Sequence, residues 1–168
     1  MCETNSPTQY NETQYVTDVY NKIGGHFDIT RVNHWSWITE FVEKLPHGSF
    51  ILDNGCGNGR NMMYSNYRFQ GVDSSQTFVD MCIEKGLNCE LGDMCSLPFK
   101  DNTFDAILSI AAFHHLATPE RRIKALQEML RVLKPNGRVI MSVWSITQPV
   151  KTRRVFTKYG DTIVPWKN

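Results

Sequence analysis

Three carboxylates and three glycines are spaced in this chain so that they could hold a single ligand. Asp53 ends the apolar run of "SFILD" and leads into Gly55, Gly57 and Gly59 of "LDNGCGNG". Glycines this close together let a backbone approach something tightly. The pattern is G-x-G-x-G, one residue short of the dinucleotide fingerprint G-x-G-x-x-G, and no Gly-Lys-Ser/Thr follows, which excludes a phosphate-binding P-loop. A leading carboxylate also repels pyrophosphate and favours a cationic ligand or one rich in N–H and O–H donors. Asp73 stands 18 residues after Gly55, where an acid can accept both hydroxyls of a ribose, and Asp93 ends the short third strand read in "NCELGD", where it could accept from an adenine amino group. The set asks for ribose, adenine and a cationic centre with little phosphate, terms that S-adenosylmethionine meets. The plainer alternative is that the glycines only admit helix–strand packing and the acids are turn residues.

The elements that must position these residues alternate. Apolar residues at helical spacing from Tyr15 (Val16, Val19, Tyr20, Ile23) predict a helix stopped by Gly24-Gly25, and Trp37, Ile38, Phe41, Val42 and Leu45 a second over 36–45. Strands are predicted at 49–53, 69–73, 88–93, 104–110 and 138–144. Helices are predicted near 59–65, at 76–85 with Phe78, Val79, Cys82 and Ile83 inward, and after Thr118, an N-cap followed by Pro119 and Glu120. The buried stripe of that last helix is expected to be Ile123, Leu126, Leu130 and Leu133, with Pro135-Asn136-Gly137 ending it. Such alternation predicts an α/β fold with a doubly wound, mainly parallel sheet and a ligand at the carboxyl ends of its strands. Residues 1–14 read as a flexible tail and 15–168 as a single domain.

Composition excludes several classes. With 18 basic and 17 acidic residues the net charge is +1, so any nucleic-acid contact needs a local patch. No apolar run approaches the roughly 20 residues of a membrane span. Cys2, Cys56, Cys82, Cys89 and Cys95 contain no C-x-x-C pair, which suits reduced thiols in the cytosol or nucleus and predicts no metal site.

In order and spacing, "LDNGCGNG", "GVDSS", "GDMCSLPF", "FDAILSIAAFHH" and "LRVLKPNGRVIMSVW" resemble the class I S-adenosylmethionine-dependent methyltransferases. The resemblance implies a Rossmann-like sheet of order 3-2-1-4-5. It also implies Asp53 and the three glycines around the methionine part of the cofactor, Asp73 and Ser74 at its ribose, and Asp93 with Met94 at its adenine. Beyond those motifs, "YVTDVYNKIGGHFDITRVNHW", "SIAAFHHLATPERR" and the late "VPW" are similar to the eukaryotic tRNA wobble-uridine methyltransferases, which esterify the carboxylate of 5-carboxymethyluridine. That resemblance implies a tRNA substrate and a small zinc-binding activator protein on the third-strand edge. His34 and Asn54 depart from the pattern, and five strands where the fold usually has seven imply either C-terminal truncation or a tail that covers the fifth-strand edge.

A carboxylate acceptor is already ionised at neutral pH, so the site must position it and needs no strong base. Arg31 has the planar fork that holds a carboxylate or phosphate and matches the family's functional arginine; a solvated arginine at a helix start is the alternative. His115, just after the fourth strand, matches the second histidine of the family's pair and is expected to orient the uracil or take a proton, with His114 structural. Trp144 would stack on a base or be buried. Arg121, Arg122, Lys151, Arg153, Arg154 and Lys158 would follow tRNA phosphates or form a solvated basic face. A small-molecule methyltransferase, of quinone or lipid type, and a catalytically silent S-adenosylmethionine-binding scaffold are the competing readings.

Overall fold

A computed structural model describes residues 11–30 and 35–147; Arg31, His34, Lys151, Arg153, Arg154, Lys158 and the "VPW" segment lie outside them. Five strands, β1 (Phe50–Asn54), β2 (Arg68–Asp73), β3 (Cys89–Leu91), β4 (Phe104–Ile110) and β5 (Leu133–Ser142), form one sheet. Their order is β3-β2-β1-β4-β5, as expected, and every pairing is parallel. Strands covered on both faces must be apolar on both. Accordingly Ile51, Ala106 and Leu108 pack on one side with Ile38 and Val42, while Leu52, Ile107 and Phe104 pack on the other with Met129 and Val132.

The helices are α1 (Asp18–Thr30), preceded by a π-helical turn at Thr13–Thr17, then α2 (Ser36–Glu43), α3 (Gln76–Glu84) and α4 (Pro119–Val132). Among the described residues no helix is long and apolar enough to cross a membrane. The predicted cap forms, with Thr118 Oγ1 accepting from the Arg121 N–H at 3.3 Å, and at the start of α3 Ser75 Oγ accepts from the Phe78 N–H at 3.4 Å.

The structure corrects several expectations. Helix α1 runs through Gly24-Gly25. A Cβ on Gly24 would stand 2.7 Å from Thr77 Cγ2, so this glycine lets α1 lie against α3, and that packing outweighs its cost of about 1 kcal/mol in a helix. The predicted helix near 59–65 is only a 3₁₀ turn, Arg60–Met62, because Gly59 enters it at φ +76° and poor helix formers (Tyr64, Ser65, Asn66) follow. Trp37 and Ile83 are exposed. β5 starts early: Leu133 pairs with Phe104, then a bulge at Pro135-Asn136-Gly137, with Asn136 at φ +65°, returns Arg138 opposite Ala106.

The largest correction concerns α4. Ile123, Leu126 and Leu130 are 56%, 41% and 68% exposed, and Ala125, Glu128, Met129 and Val132 are buried instead. Polar anchors set this rotation. Glu128 Oε2 accepts from the Leu97 N–H at 2.8 Å, and Arg131 donates to the Leu97 and Phe99 carbonyls at 3.0 and 2.7 Å and pairs with Glu128. Those bonds satisfy an otherwise bare loop, and they keep the Glu128 carboxyl below its ordinary range, chiefly through the Arg131 hydrogen bond. Glu128→Ala therefore leaves the buried Leu97 N–H unpaired and takes one of its carboxylate partners from Arg131, which keeps Asp101 and the two carbonyls, and should cost about 1–3 kcal/mol, read as a lower urea midpoint at unchanged slope.

Candidate active site

At the carboxyl ends of β1, β2 and β4 the chain turns sharply. Gly55, Gly57 and Gly59 all adopt left-handed backbone, at φ +83°, +53° and +76°. A Cβ on Gly55 would lie 2.3 Å from Ala112 Cβ, in the loop after β4, and one on Gly59 would lie 2.4 Å from Leu87 Cδ1. Two of the three glycines thus serve close packing as well as conformation. The third supplies a donor: the Gly57 N–H reaches Asp73 Oδ2 at 2.8 Å.

Asp53 is fully buried, and among the described residues neither carboxylate oxygen has a hydrogen-bond partner. Burial pushes its pKa up to about 7. Such a group is costly unless something partners it, so Asp53 has the character of a site residue awaiting a donor or a cation. Asp73 accepts from Gly57 and from the Ser75 N–H at 2.9 Å, and burial, opposed by those bonds, places its pKa at about 6. Two donors leave roughly two of a carboxylate's four lone-pair positions for hydroxyls. Ser74 is exposed beside it, with its hydroxyl 3.2 Å from Thr17 Oγ1. Met94 reaches the same rim, its methyl 3.6 Å from the position of a Gly55 Cβ.

Asp93 is more heavily engaged than the sequence implies. It accepts from the Cys95 N–H at 2.8 Å and takes Arg121 Nη2 on both oxygens, at 3.1 and 2.9 Å. Arg121 simultaneously donates to Glu12 at 2.8 and 2.9 Å. Its guanidinium is thus committed within the fold, whereas the expectation was a phosphate contact or a solvated basic face. Arg122 likewise donates to the Leu116 carbonyl at 2.9 Å.

His115 sits on the rim in the turn Phe113–His115, with Nε2 3.1 Å from the Tyr20 hydroxyl. Burial lowers its pKa to about 4, so the imidazole is neutral at physiological pH. His114 is lowered similarly by burial and by His115, and it stacks on the partly exposed Trp144 at 5.5 Å.

Sequence reasoning missed the reach of the N-terminal segment. Tyr20 meets His115; Asn21 Oδ1 accepts from Ser75 Oγ at 2.6 Å; Asp28 takes Asn58 Nδ2 at 2.9 Å and pairs with Lys85. The spacing of Tyr20, Asn21 and Asp28 along one helix was the available signal, but only the fold shows where that face lands. It also missed a cysteine cluster: Cys56, Cys82 and Cys89, from three different elements, come together under the glycine loop.

Residues 52–141 match the family model described as "Methyltransferase domain". Over 158 residues the chain is 37% identical to a tRNA (carboxymethyluridine(34)-5-O)-methyltransferase of Schizosaccharomyces pombe, covering 92% of this chain and 68% of that protein. Over 138 residues it is 42% identical to a protein of the same name from Macaca fascicularis, covering 82% of this chain but only 21% of the relative's length. Among solved structures, the complex of the Haloferax volcanii Trm112 methyltransferase activator with a methyltransferase is similar at TM-score 0.62 and 26% identity, over 73% of this chain and 57% of that one. The chain therefore belongs to the methyltransferase domain family, together with the tRNA (carboxymethyluridine(34)-5-O)-methyltransferases.

Proposed function

We propose that this domain transfers a methyl group from S-adenosylmethionine to the carboxylate of 5-carboxymethyluridine at the wobble position of tRNA, forming a methyl ester. The observation that carries the cofactor reading is Asp53, a buried carboxylate without partners beside a left-handed glycine loop. The residues fit that cofactor. Asp53 and the Gly55–Gly59 loop would hold its amino-acid end, Asp73 and Ser74 its ribose, and Met94 with Asp93 its adenine. Bound there, the cofactor supplies an electrophilic methyl group on a cationic sulfur.

The protein's own residues then have to bind, orient and exclude water. The acceptor carboxylate arrives ionised. A histidine with a pKa near 4 is a weak base, which suits a reaction that needs none. When Tyr20 donates to His115 Nε2, the proton sits on Nδ1, which becomes a fixed donor for a uracil oxygen or the carboxylate. Arg31 is assigned the acceptor's charge on its chemistry and on the family resemblance. The substrate reading rests on the relatives' identity and coverage.

A small zinc-binding activator is the proposed partner, adding a strand along the free edge of β3. Support comes from the edge position of β3, its exposed Leu91 and the activator complex among the structural neighbours.

Transfer of labelled methyl from S-adenosylmethionine to tRNA, with the label lost on RNase treatment, tests this reading. His115→Ala should reduce transfer on the order of 10²-fold while calorimetric cofactor affinity stays within a few fold. Loss of cofactor binding in that variant would remove His115 from the acceptor side.

A further inference from the structure

Four sulfur atoms gather beneath the glycine loop, at the junction of β2, β3 and α3. The Sγ atoms of Cys56, Cys82 and Cys89 all lie within 4.8 Å of one another, with Cys56 and Cys89 at 3.4 Å. A Cβ on Gly71 of β2 would stand 2.9 Å from Cys56 Sγ, 3.0 Å from Met62 Sδ and 3.2 Å from Cys89 Sγ. The absence of a side chain at Gly71 is thus what lets these sulfurs converge over the strand. Three thiolates about 2.3 Å from one ion are roughly 3.8–4.0 Å apart, inside the range seen here. Only small side-chain movements separate the cluster from a coordinating arrangement.

We propose that Cys56, Cys82 and Cys89, with the Met62 thioether beside them, form a binding site for a soft monovalent cation, Cu(I). The ligand set selects the ion. Among the described residues the cluster includes no imidazole or carboxylate, and thioether sulfur is not among zinc's usual ligands. Thiolate together with thioether favours Cu(I). A cleft of about 290 Å³ lined by Gln70, Ile83, Leu87, Asn88, Cys89 and Glu90 reaches Cys89, the cluster member that is not buried. Binding exchanges thiol protons, released to solvent, for metal–sulfur bonds. It also touches the site above, because Cys82 Sγ and Cys56 Sγ donate to the Gly57 carbonyl at 3.3 and 3.8 Å and lose that role as thiolates.

The test uses the reduced full chain carrying Cys2→Ser and Cys95→Ser, which removes the two thiols outside the cluster. Under anaerobic conditions Cu(I) is offered as its complex with the chromogenic chelator bicinchoninate. One Cu(I) per chain should leave the chelator. Cys89→Ser, at a half-buried position that tolerates the change, should weaken binding at least about 100-fold with a near-unchanged melting temperature. Copper retained by the chelator, equal binding by Cys89→Ser, or one Zn(II) bound per chain in place of Cu(I) overturns the assignment. No methyl donor or tRNA is present, so the outcome is independent of the proposed activity.

Discussion

Asp53→Asn is expected to make the ligand-free protein more stable at pH 8 and, at the same time, unable to bind the methyl donor tightly. The unfolded carboxyl ionises near 3.8, whereas burial without a partner raises it to about 7 in the fold. The folded state holds the proton more firmly, so stability from this group is fully present below pH ~4 and is lost as pH rises through ~7. Three pH units correspond to about 4 kcal/mol. Asparagine never ionises, but its amide remains unsatisfied at a cost of about 1–3 kcal/mol. The net gain at pH 8 is about 1–3 kcal/mol, and at pH 4–5 the variant should be no better than the wild type. Thermal melts across pH read the crossover. S-adenosylmethionine should then raise the melting temperature of the wild type and leave that of the variant nearly unmoved. If Asp53 holds the amino-acid end of the cofactor, wild-type affinity should climb as pH passes ~7, because the ionised carboxylate would attract the ammonium. Equal stability of both proteins at every pH contradicts the reading of Asp53 as a strained, ligand-facing acid.

Gly55→Ala should damage the glycine loop more than Gly59→Ala, whose added methyl meets the flexible end of Leu87. Two costs combine. An alanine at φ +83° is strained by about 1–2 kcal/mol, and its Cβ would overlap Ala112 Cβ at 2.3 Å, adding about 1–3 kcal/mol of overpacking. Gly48 separates the two costs. It has φ +82° and nothing within 4 Å of a Cβ, so Gly48→Ala should cost only about 1–2 kcal/mol. Adding Ala112→Gly to Gly55→Ala removes the overlap but not the strain, and should recover roughly half of the loss in urea denaturation. Failure of that double variant to recover any stability would place the cost of Gly55→Ala elsewhere.

The sheet was legible because its strands are nearly continuous apolar runs bounded by turns, as in Phe104–Ile110, whose predicted limits coincide with the structure. The placement of the rim residues was legible for the same reason: Asp53 and Asp73 lie in the last residues of β1 and β2, and the three glycines follow β1. What could not be read were choices made by tertiary contacts. Two overlapping apolar stripes run along α4, and the exposed one (Ile123, Leu126, Leu130) is the more hydrophobic. Only the pairing of Glu128 and Arg131 with the 97–101 loop decides for the other. Gly24 looks like a stop until α3 is placed against it. Asp93 looks free until Arg121, which is 28 residues away, folds onto it. Cys56, Cys82 and Cys89 carry no spacing signature, because a parallel sheet brings them together through crossovers.

Nucleoside mass spectrometry tests the central claim most directly. tRNA carrying 5-carboxymethyluridine is incubated with the protein, a methyltransferase activator of the Trm112 kind and isotopically labelled S-adenosylmethionine, then digested to nucleosides. The predicted product is a labelled methyl ester of 5-carboxymethyluridine that mild alkali hydrolyses back to the acid. Unchanged 5-carboxymethyluridine in the presence of a protein that demonstrably binds the cofactor contradicts the account.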